Sequence, residues 1–320
     1  MPSVYVTAEI PQNGITILTK RGFKVQSNLG RRLSKNELKE IFAKYDGVVT
    51  LLTDHIDEEI IKSSRNLKII ANFAVGFDNI DVLAAKKHGV VVTNTPSVAN
   101  ISVAEHTMML ILACQKRLIG ADRYVRAGRL ERWDPLMFLS PQVWGKTIGI
   151  VGLGGIGLTV GQMALQGFKM KIFYNDIIRA QDFEMISGAK FVDLETLLSS
   201  SDIVTLHVPL TVKTHHMIDK KEFSLMKKTA IFVNTSRGSI VNQEALIWAL
   251  TNGIIAGAGL DVFENEPHVP HTLSVLGNVI LTPHIGSATF ETREAMAKIV
   301  AENIIDVFEG RTPLGLVKVD

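Results

Sequence analysis

The sequence lacks the features that mark several classes of protein. It holds one cysteine, Cys114, among 320 residues, so an internal disulfide is excluded and Cys114 is expected to pack in a core. No apolar stretch approaches the roughly 18 residues needed to span a bilayer. The first ten residues, MPSVYVTAEI, lack the basic segment and long apolar core of a signal peptide. We therefore predict a protein of the reducing cytoplasm with no membrane partner.

The chain also lacks an excess of charge of either sign. Its 34 Lys and Arg residues nearly balance 32 Asp and Glu residues, which leaves a net charge of +2 with neutral His. Such a balance creates no field that would attract nucleic acid, so no nucleic-acid partner is expected. The histidine pairs His215–His216 and His268–His271 do not match a zinc spacing, and no metal site is expected.

What the sequence does have is an alternation of short β-branched runs with helical segments. The apolar runs cover residues 4–9, 47–52, 68–74 and 90–95, and then 147–152, 171–176, 203–208, 230–235, 255–262 and 279–283. Helical patterns separate them, including residues 35–45 behind the capping residue Ser34 and long segments at about 102–118 and 289–308. Strands separated by helices form parallel sheets covered on both faces. The sequence predicts an α/β protein with two doubly wound parallel sheets.

The second set of runs opens with a glycine-rich turn, Gly152-Leu-Gly154-Gly155-Ile156-Gly157. It follows an apolar strand directly and begins a helical segment, which is the context of a dinucleotide-binding turn. Gly152 makes the tight turn, Gly154 lets the backbone approach a pyrophosphate, and Gly157 lets the helix pack on the strand. Asp176 ends the next run, where a carboxylate accepts the ribose hydroxyls and repels a 2′-phosphate. This pattern predicts NAD as the cofactor, with NADP less favoured.

Three polar side chains follow later apolar runs, at the end of a sheet where ligands bind. Arg237 can form a two-pronged pair with a carboxylate. His284 can exchange a proton near neutral pH, and a neighbouring carboxylate such as Glu266 would orient it and favour its protonated form. Taken singly, these residues could be a surface cation, a loop cap and a solvated carboxylate. Together behind a dinucleotide turn, they predict a catalytic site.

The sequence resembles the D-isomer-specific 2-hydroxyacid dehydrogenase family over essentially its whole length. The segments that carry the resemblance are residues 71–81, 92–96, 103–107, 152–157, 234–238, 257–267 and 283–288. The resemblance implies a flavodoxin-like substrate domain made of residues 1–100 and 287–320, with a Rossmann NAD-binding domain, residues 101–286, inserted into it. It also implies a homodimer whose two-fold contact includes the region of residues 103–118.

The reaction implied by this resemblance is the reduction of a 2-oxoacid to a D-2-hydroxyacid with hydride from the nicotinamide. Arg237 would bind the substrate carboxylate, His284 would donate the proton, and Glu266 would hydrogen-bond His284. Backbone N–H groups around Val75 and Gly76 would complete the carboxylate site. The remaining cofactor contacts would come from Asp261 at the carboxamide, from Thr235, Ser236 and Gly286 at the nicotinamide ring, and from Val208, Pro209 and Thr214 at the adenine side.

The residues of 71–81 and 92–96 look most like glyoxylate and hydroxypyruvate reductases. Phosphoglycerate dehydrogenases of the family carry an arginine where Asn72 stands, and formate dehydrogenases carry Gln at the position of Glu266. Phosphoglycerate and D-lactate dehydrogenase activities stay open as alternatives. So does a corepressor-like protein that binds NAD without turnover. His106 lies on an apolar helix, where an interface or core histidine is expected rather than a catalyst.

Overall fold

The computed structural model describes residues 1–318 and contains two parallel sheets connected by helices. The strands are β1 (Ser3–Val6), β2 (Lys24–Ser27), β3 (Gly47–Thr50), β4 (Ile69–Asn72), β5 (Val91–Thr93), β6 (Thr147–Val151), β7 (Lys171–Asn175), β8 (Lys190–Phe191), β9 (Ile203–Leu206), β10 (Ile231–Asn234), β11 (Gly257–Leu260) and β12 (Val279–Leu281). The α/β fold class predicted from the alternating sequence pattern is confirmed.

Helices connect nearly all of these strands. They are α1 (Gln12–Lys20), α2 (Lys35–Lys44), α3 (Glu58–Lys62), α4 (Val82–Lys87), α5 (Asn100–Gln115), α6 (Leu118–Arg126), α7 (Gly155–Phe168), α8 (Gln181–Ser187), α9 (Leu194–Ser200), α10 (Lys220–Leu225), α11 (Gln243–Thr251), α12 (His271–Ser274) and α13 (Phe290–Phe308). Ser34 caps α2 as predicted, and Glu37 completes a reciprocal capping box with it.

The chain divides into two compact units. The first combines Met1–Ala99 with the segment from Ala288 onward, and the second is Asn100–Ser287. The first unit holds a five-stranded sheet in the order β2-β1-β3-β4-β5, with all neighbours parallel. This is the strand order of flavodoxin-like folds. The assignment of substrate binding to this unit stays a prediction.

Close contact between α1 and α13 joins the two chain segments of the first unit. A Cβ atom at Gly14 of α1 would lie 2.6 Å from the carbonyl oxygen of Ala297 in α13, so only glycine allows this approach. Met296, Val300 and Ile304 of α13 are buried in the same core as the β-strand residues Val4 and Ile69. The segment after residue 288 is therefore part of the core of the first unit.

The second unit holds a seven-stranded parallel sheet in the order β12-β11-β10-β9-β6-β7-β8. Numbered from β6, this is the 3-2-1-4-5-6 order of dinucleotide-binding folds with one further strand at the edge. The central strands β9, β10 and β11 are buried along their whole length, as their apolar runs predict. Parallel strands place their carboxyl ends at one edge, where the turns after β6, β9, β10, β11 and β12 form the candidate site.

The predicted single helix over residues 102–118 was wrong at its C-terminal end. Helix α5 ends at Gln115, and Arg117 adopts a left-handed conformation with φ of 52° before α6 begins at Leu118. The Arg117 guanidinium lies 5.2 Å from the centre of the Phe138 ring, a cation–π contact that favours the altered chain direction. A residue in the left-handed region cannot continue a right-handed helix.

Cys114 lies in α5, and burial raises the pKa of its thiol to about 12. A thiol of this kind packs as a small apolar group rather than reacting as a thiolate. Among residues 1–318, no helix combines the length and apolar character needed to cross a bilayer. The cytoplasmic location stays a prediction.

Candidate active site

The glycine turn after β6 has the geometry that a dinucleotide requires. Gly152 has φ of 92°, and a Cβ atom there would lie 2.8 Å from the backbone of His207 and Val208. A Cβ atom at Gly157 would lie 2.1 Å from the carbonyl oxygen of Gly152. Each of these positions therefore requires glycine, for a tight turn in the first case and for close packing in the second.

Gly154 differs from its neighbours because the space beside it is open. A Cβ atom there would meet no atom within 4 Å, and Gly154 is the N-cap of α7 without a side-chain cap. The first N–H groups of α7, at Gly155 and Ile156, thus belong to a helix N-terminus of the kind that binds phosphate. The residues present fit a dinucleotide pyrophosphate.

Asp176 lies directly after β7 and next to this turn. Its Oδ2 atom accepts the backbone N–H of Leu153 at 2.6 Å, and its Oδ1 atom accepts the N–H of Ile178 at 3.1 Å. The carboxylate is half-buried, and these two hydrogen bonds orient it next to the glycine turn. The side chains of Ile177 and Ile178 are exposed, and the cation that follows, Arg179, forms a bidentate ion pair with Glu184.

The turn after β9 carries the residues predicted at the adenine side. The Thr214 hydroxyl donates to the carbonyl oxygen of Pro209 at 2.6 Å, which closes the loop that follows Val208. The Nδ1 atom of the preceding His207 is buried without a partner among residues 1–318, while its Nε2 atom lies 3.0 Å from the Thr205 hydroxyl. Burial lowers the pKa of His207 to about 3, so its ring is neutral at physiological pH.

Arg237 follows β10 in a turn shaped by Asn234. The Asn234 side chain donates to the carbonyl oxygen of Arg237 at 2.9 Å and accepts the N–H of Ser236 at 3.0 Å. A Cβ atom at Gly238 would lie 1.9 Å from the carbonyl carbon of Phe263. The turn therefore packs tightly against the segment after β11. The hydroxyl of Thr235, in the same turn, lies 3.0 Å from the Thr107 hydroxyl of α5.

Glu266 and His284 come from the ends of neighbouring strands and meet directly. The Nδ1 atom of His284 lies 2.9 Å from Oε2 of Glu266, and Oε1 of Glu266 accepts the N–H of Phe263 at 2.9 Å. Both carboxylate oxygens are therefore engaged, and Nε2 is the ring nitrogen of His284 that remains for a substrate. The nearby Glu264 contacts His216 instead, at 2.6 Å. Within residues 1–318, no cluster of His, Cys, Asp or Glu side chains could hold a metal ion.

Asp261 is buried, and its carboxylate binds the backbone that directly follows His284. The N–H groups of Ile285 and Gly286 donate to its two carboxylate oxygens at 2.9 and 2.7 Å. Burial alone raises the pKa of Asp261, but hydrogen bonds from His106, Thr282 and Ile285 outweigh it, and the pKa lies below its ordinary value. Asp261 is therefore an ionised carboxylate whose oxygens are occupied by protein donors.

Val75 and Gly76 lie in the first unit, in the loop after β4. The Asn94 side chain donates to the carbonyl oxygen of Val75 at 2.7 Å, and the Asn72 side chain donates to that of Gly76 at 2.9 Å. Neither backbone N–H of Val75 and Gly76 has an acceptor within residues 1–318. The loop thus fixes its carbonyl groups and leaves adjacent N–H groups available for an anion.

Asn94 is itself held by the segment near the end of the described chain. Its N–H donates to the carbonyl oxygen of Gly315 at 2.9 Å, and its carbonyl oxygen accepts the Asn303 side chain at 3.1 Å. Sequence reasoning considered Asn72 only as the position of an arginine in phosphoglycerate dehydrogenases and gave Asn94 no role. Asn72 ends β4 and Asn94 follows β5, so the rule that identified Arg237 and His284, polar residues at strand ends, would also have found these two.

A sheet of this order, with a glycine turn after its first strand and a His–Glu contact after its later strands, is typical of nicotinamide-dependent dehydrogenases. Comparison with known proteins narrows that class. The family model described as D-isomer specific 2-hydroxyacid dehydrogenase, NAD binding domain, matches residues 108–286. A glyoxylate reductase of Thermococcus litoralis is 47% identical over 100% of this chain and 97% of its own length.

Two solved structures of related enzymes share the fold. An NADPH-dependent glyoxylate/hydroxypyruvate reductase of Sinorhizobium meliloti, in complex with NADP and malonate, has a TM-score of 0.87 and 32% identity, covering 99% of this chain and 96% of that one. A D-lactate dehydrogenase of Aquifex aeolicus, complexed with NAD and lactic acid, has a TM-score of 0.84 and 31% identity, covering 96% of both chains.

The chain belongs to the D-isomer-specific 2-hydroxyacid dehydrogenase family. It is an oxidoreductase with the family's NAD-binding domain, and the reduction of a 2-oxoacid is the reaction that its relatives support. The family predicted from the sequence motifs, and its similarity to the glyoxylate reductase branch, are confirmed.

Proposed function

We propose that this protein reduces glyoxylate or hydroxypyruvate to the corresponding 2-hydroxyacid, the D isomer in the case of hydroxypyruvate, and that it uses NADH. The observation that carries the proposal is the 2.9 Å contact between His284 Nδ1 and Glu266 Oε2 at the ends of neighbouring strands. The glyoxylate reductase relative supports the substrate class. When bound, NADH supplies the hydride for the carbonyl carbon.

His284 donates the proton that the carbonyl oxygen takes up during reduction. Glu266 accepts a hydrogen bond at Nδ1, so the ring orientation is fixed and Nε2 faces the substrate. The second oxygen of Glu266 is held by the Phe263 N–H, which stops the carboxylate from rotating away. The pair thus acts as one acid–base group, with Glu266 orienting the residue that transfers the proton.

We propose that Arg237 binds the substrate carboxylate and that the N–H groups of Val75 and Gly76 form an anion-binding loop of the first unit. A guanidinium pairs with a carboxylate through two parallel hydrogen bonds, which orients the adjacent carbonyl group. The Gly76 N–H shares a peptide group with the Val75 carbonyl that Asn94 binds, and the Val75 N–H shares one with the Ala74 carbonyl, which accepts the Thr95 N–H at 2.9 Å. Both peptide groups are therefore held in place, which supports this role. The substrate is oriented by its charge, which suits small 2-oxoacids that have little other surface to bind.

Residues around Asp176 favour NADH over NADPH. The Asp176 carboxylate is fixed by two backbone N–H groups, and a negative charge there repels a 2′-phosphate. The two residues that follow are exposed isoleucines rather than cations. Arg179, the next cation, is paired with Glu184, whose pKa is lowered to about 2 by hydrogen bonds from Arg179 and Tyr174.

Phosphoglycerate and pyruvate are less favoured substrates than glyoxylate and hydroxypyruvate. Asn72 is fully buried and donates hydrogen bonds to Gly76 and to Asn79. Phosphoglycerate dehydrogenases of the family carry an arginine at this position. It offers no charge to a substrate phosphate. Pyruvate differs from glyoxylate by one methyl group, and a methyl group changes binding by only about 1–3 kcal/mol. The preference therefore rests on the glyoxylate reductase relatives, and pyruvate is expected to be reduced with a kcat/KM within roughly 10- to 200-fold of that for glyoxylate.

A panel of substrates tests the proposed function. The purified protein is incubated with NADH or NADPH and with glyoxylate, hydroxypyruvate, pyruvate or a bulkier 2-oxoacid, and loss of reduced-nicotinamide absorbance is followed. The highest kcat/KM is expected for glyoxylate or hydroxypyruvate with NADH. NADH binding without turnover of any 2-oxoacid would contradict the proposal and support a corepressor-like binding protein.

We also propose that two copies form a homodimer through the region after α5. Large apolar side chains are exposed on α6 and the loop after it, namely Leu118, Val125, Leu130, Trp133, Leu136, Leu139 and Trp144. A soluble monomer rarely leaves so much apolar surface exposed. Light scattering should give twice the chain mass, and Trp133→Glu with Leu136→Glu should give the single mass. Leu29→Glu, at an exposed site in the first unit, is the control, and a wild-type monomer would contradict the dimer.

A further inference from the structure

His106 of α5 contacts the buried carboxylate below His284. Its Nε2 atom lies 3.0 Å from the Thr282 hydroxyl oxygen and 3.3 Å from Oδ1 of Asp261. The Thr282 hydroxyl in turn donates to the same Oδ1 atom at 2.6 Å. The side chain of His106 is about one-tenth exposed and that of Asp261 almost wholly buried. Because the Thr282 hydroxyl donates its own hydrogen to Asp261, Nε2 of His106 is the donor in its contacts with the Thr282 hydroxyl and the Asp261 carboxylate.

The carboxylate that His106 contacts determines the backbone around His284. Asp261 accepts the N–H of Ile285 and of Gly286 through its side chain, and the N–H of His284 through its carbonyl oxygen at 2.9 Å. Three consecutive N–H groups are thus bound by one residue. A Cβ atom at Gly286 would lie 3.1 Å from Oδ2 of Asp261, so the turn lies directly on the carboxylate.

His284 needs this support because its own backbone conformation is unfavourable. It has φ of 55°, in the left-handed region that residues with a side chain seldom adopt. A conformation of this kind persists only where surrounding contacts impose it. The contacts that impose it on His284 are those of Asp261, and an ionised carboxylate binds N–H groups more strongly than a neutral one.

We propose that His106 is a positioning residue for His284, which acts through Asp261 and Thr282. Its donated hydrogen bond keeps the Asp261 carboxylate oriented on the turn of residues 284–286. The turn then holds the His284 ring against Glu266. His106 touches neither substrate nor cofactor in this role. The inference rests on the proposed function of His284 in proton transfer, and it adds a residue of α5 to the elements that build the site.

Two substitutions separate a hydrogen-bonding role from a packing role. His106→Gln keeps a donor near the position of Nε2, whereas His106→Phe keeps the ring shape and removes the donor. Glu105→Gln, at an exposed position of the same helix, is the matched control. Two quantities are measured: amide hydrogen exchange of the peptide that contains Ile285 and Gly286, without substrate, and kcat and KM for the 2-oxoacid.

In His106→Phe, exchange of these amides should rise and kcat should fall, each roughly tenfold, the factor for one lost hydrogen bond to a charged group. KM for the 2-oxoacid should stay within about twofold, because Arg237 is unchanged. His106→Gln and Glu105→Gln should resemble the wild type. If His106→Phe does not fold, Thr282→Val, which removes the bridging hydroxyl, is expected to give the same two changes.

Wild-type exchange in His106→Phe, or equal loss in His106→Gln and His106→Phe, would overturn the proposal. The exchange measurement does not depend on turnover. A wild-type protein that reduces no 2-oxoacid therefore contradicts the proposed function alone, while faster exchange in His106→Phe still supports the positioning of the turn. Turnover with unchanged exchange contradicts the positioning role alone.

Discussion

His284 and Glu266 form a direct contact, with 2.9 Å between Nδ1 of the imidazole and Oε2 of the carboxylate. Glu266 follows β11 and His284 follows β12. Because these two strands are adjacent and parallel, the residues that follow them come together. The contact matters because it leaves one ring nitrogen for chemistry and assigns the other to orientation.

His284→Ala should lower kcat by about two to four orders of magnitude, the range for loss of a general acid. The Kd of NADH, measured by fluorescence titration, should be unchanged because no proposed cofactor contact is removed. His271→Ala, at an exposed histidine of α12, is the control. Near-normal turnover in His284→Ala would show that another group donates the proton.

Arg237→Lys should lower kcat/KM for the 2-oxoacid by roughly 10- to 100-fold, because an ammonium group cannot form the two parallel hydrogen bonds of a guanidinium. Steady-state kinetics at saturating NADH measure the effect. Lys228→Arg, the reverse change at an exposed site, should have no effect. An unchanged kcat/KM in Arg237→Lys would remove the arginine from carboxylate binding.

Asp176→Ser combined with Ile177→Arg should raise the NADPH-to-NADH ratio of kcat/KM by roughly 10- to 100-fold. The change removes the charge that repels a 2′-phosphate and supplies a cation that attracts it. Asp182→Asn changes the charge of a nearby exposed carboxylate and should leave the ratio unchanged. Equal use of both cofactors by the wild type would argue against the role of Asp176.

Asn94→Ala should raise KM for the 2-oxoacid roughly tenfold, because the Val75 carbonyl loses its donor and the loop its orientation. The Kd of NADH should not change, since the cofactor turn belongs to the other unit. Asn13→Ala also removes an amide-to-carbonyl hydrogen bond from the first unit, to Glu294, and serves as the control. A KM that changes equally in both variants would point to a general loss of stability.

His207 should make the protein less stable in acid. Its folded pKa of about 3 lies below the ordinary histidine value of 6.5, so the unfolded chain binds the proton first as the pH falls. The stabilising difference is present above pH 6.5 and is lost progressively below it, by about 2.5 kcal/mol between pH 7 and pH 4.5. Urea unfolding at the two pH values measures it. His207→Gln should reduce the pH dependence, whereas exposed His268→Gln should retain it.

The sequence predicted those parts of the site that depend on local backbone geometry. Gly152 and Gly157 occupy positions that exclude any Cβ atom. The spacing of the glycines in the sequence therefore predicts this turn directly. The strand-end rule works for a similar reason, because parallel strands share an edge. His106 was expected to be an interface or core residue. Its contact with Asp261 was not foreseen because it joins positions far apart in the chain. Pairings over such distances leave no periodic pattern.

The break between α5 and α6 has the same cause. Arg117 has no Gly or Pro beside it, and its left-handed conformation accompanies a contact with Phe138 that only the folded chain creates. Local propensity favours a continuous helix there, and tertiary contact overrides it. The contacts of Asn94 with Val75 and of Asn72 with Gly76 were missed for a different reason. An uncharged amide side chain does not by itself suggest a binding role, although it can orient the peptide group that binds a ligand.

The packing of α13 against α1 has a consequence for biosynthesis. Ribosomes release the chain from its N-terminus, and domains generally fold as units during synthesis. The five-stranded sheet emerges first, but one side of its core is supplied by residues 290–308. The inserted unit is therefore the first that can be completed on the ribosome. The first hundred residues keep apolar strand surface exposed until residues 290–308 have been synthesised.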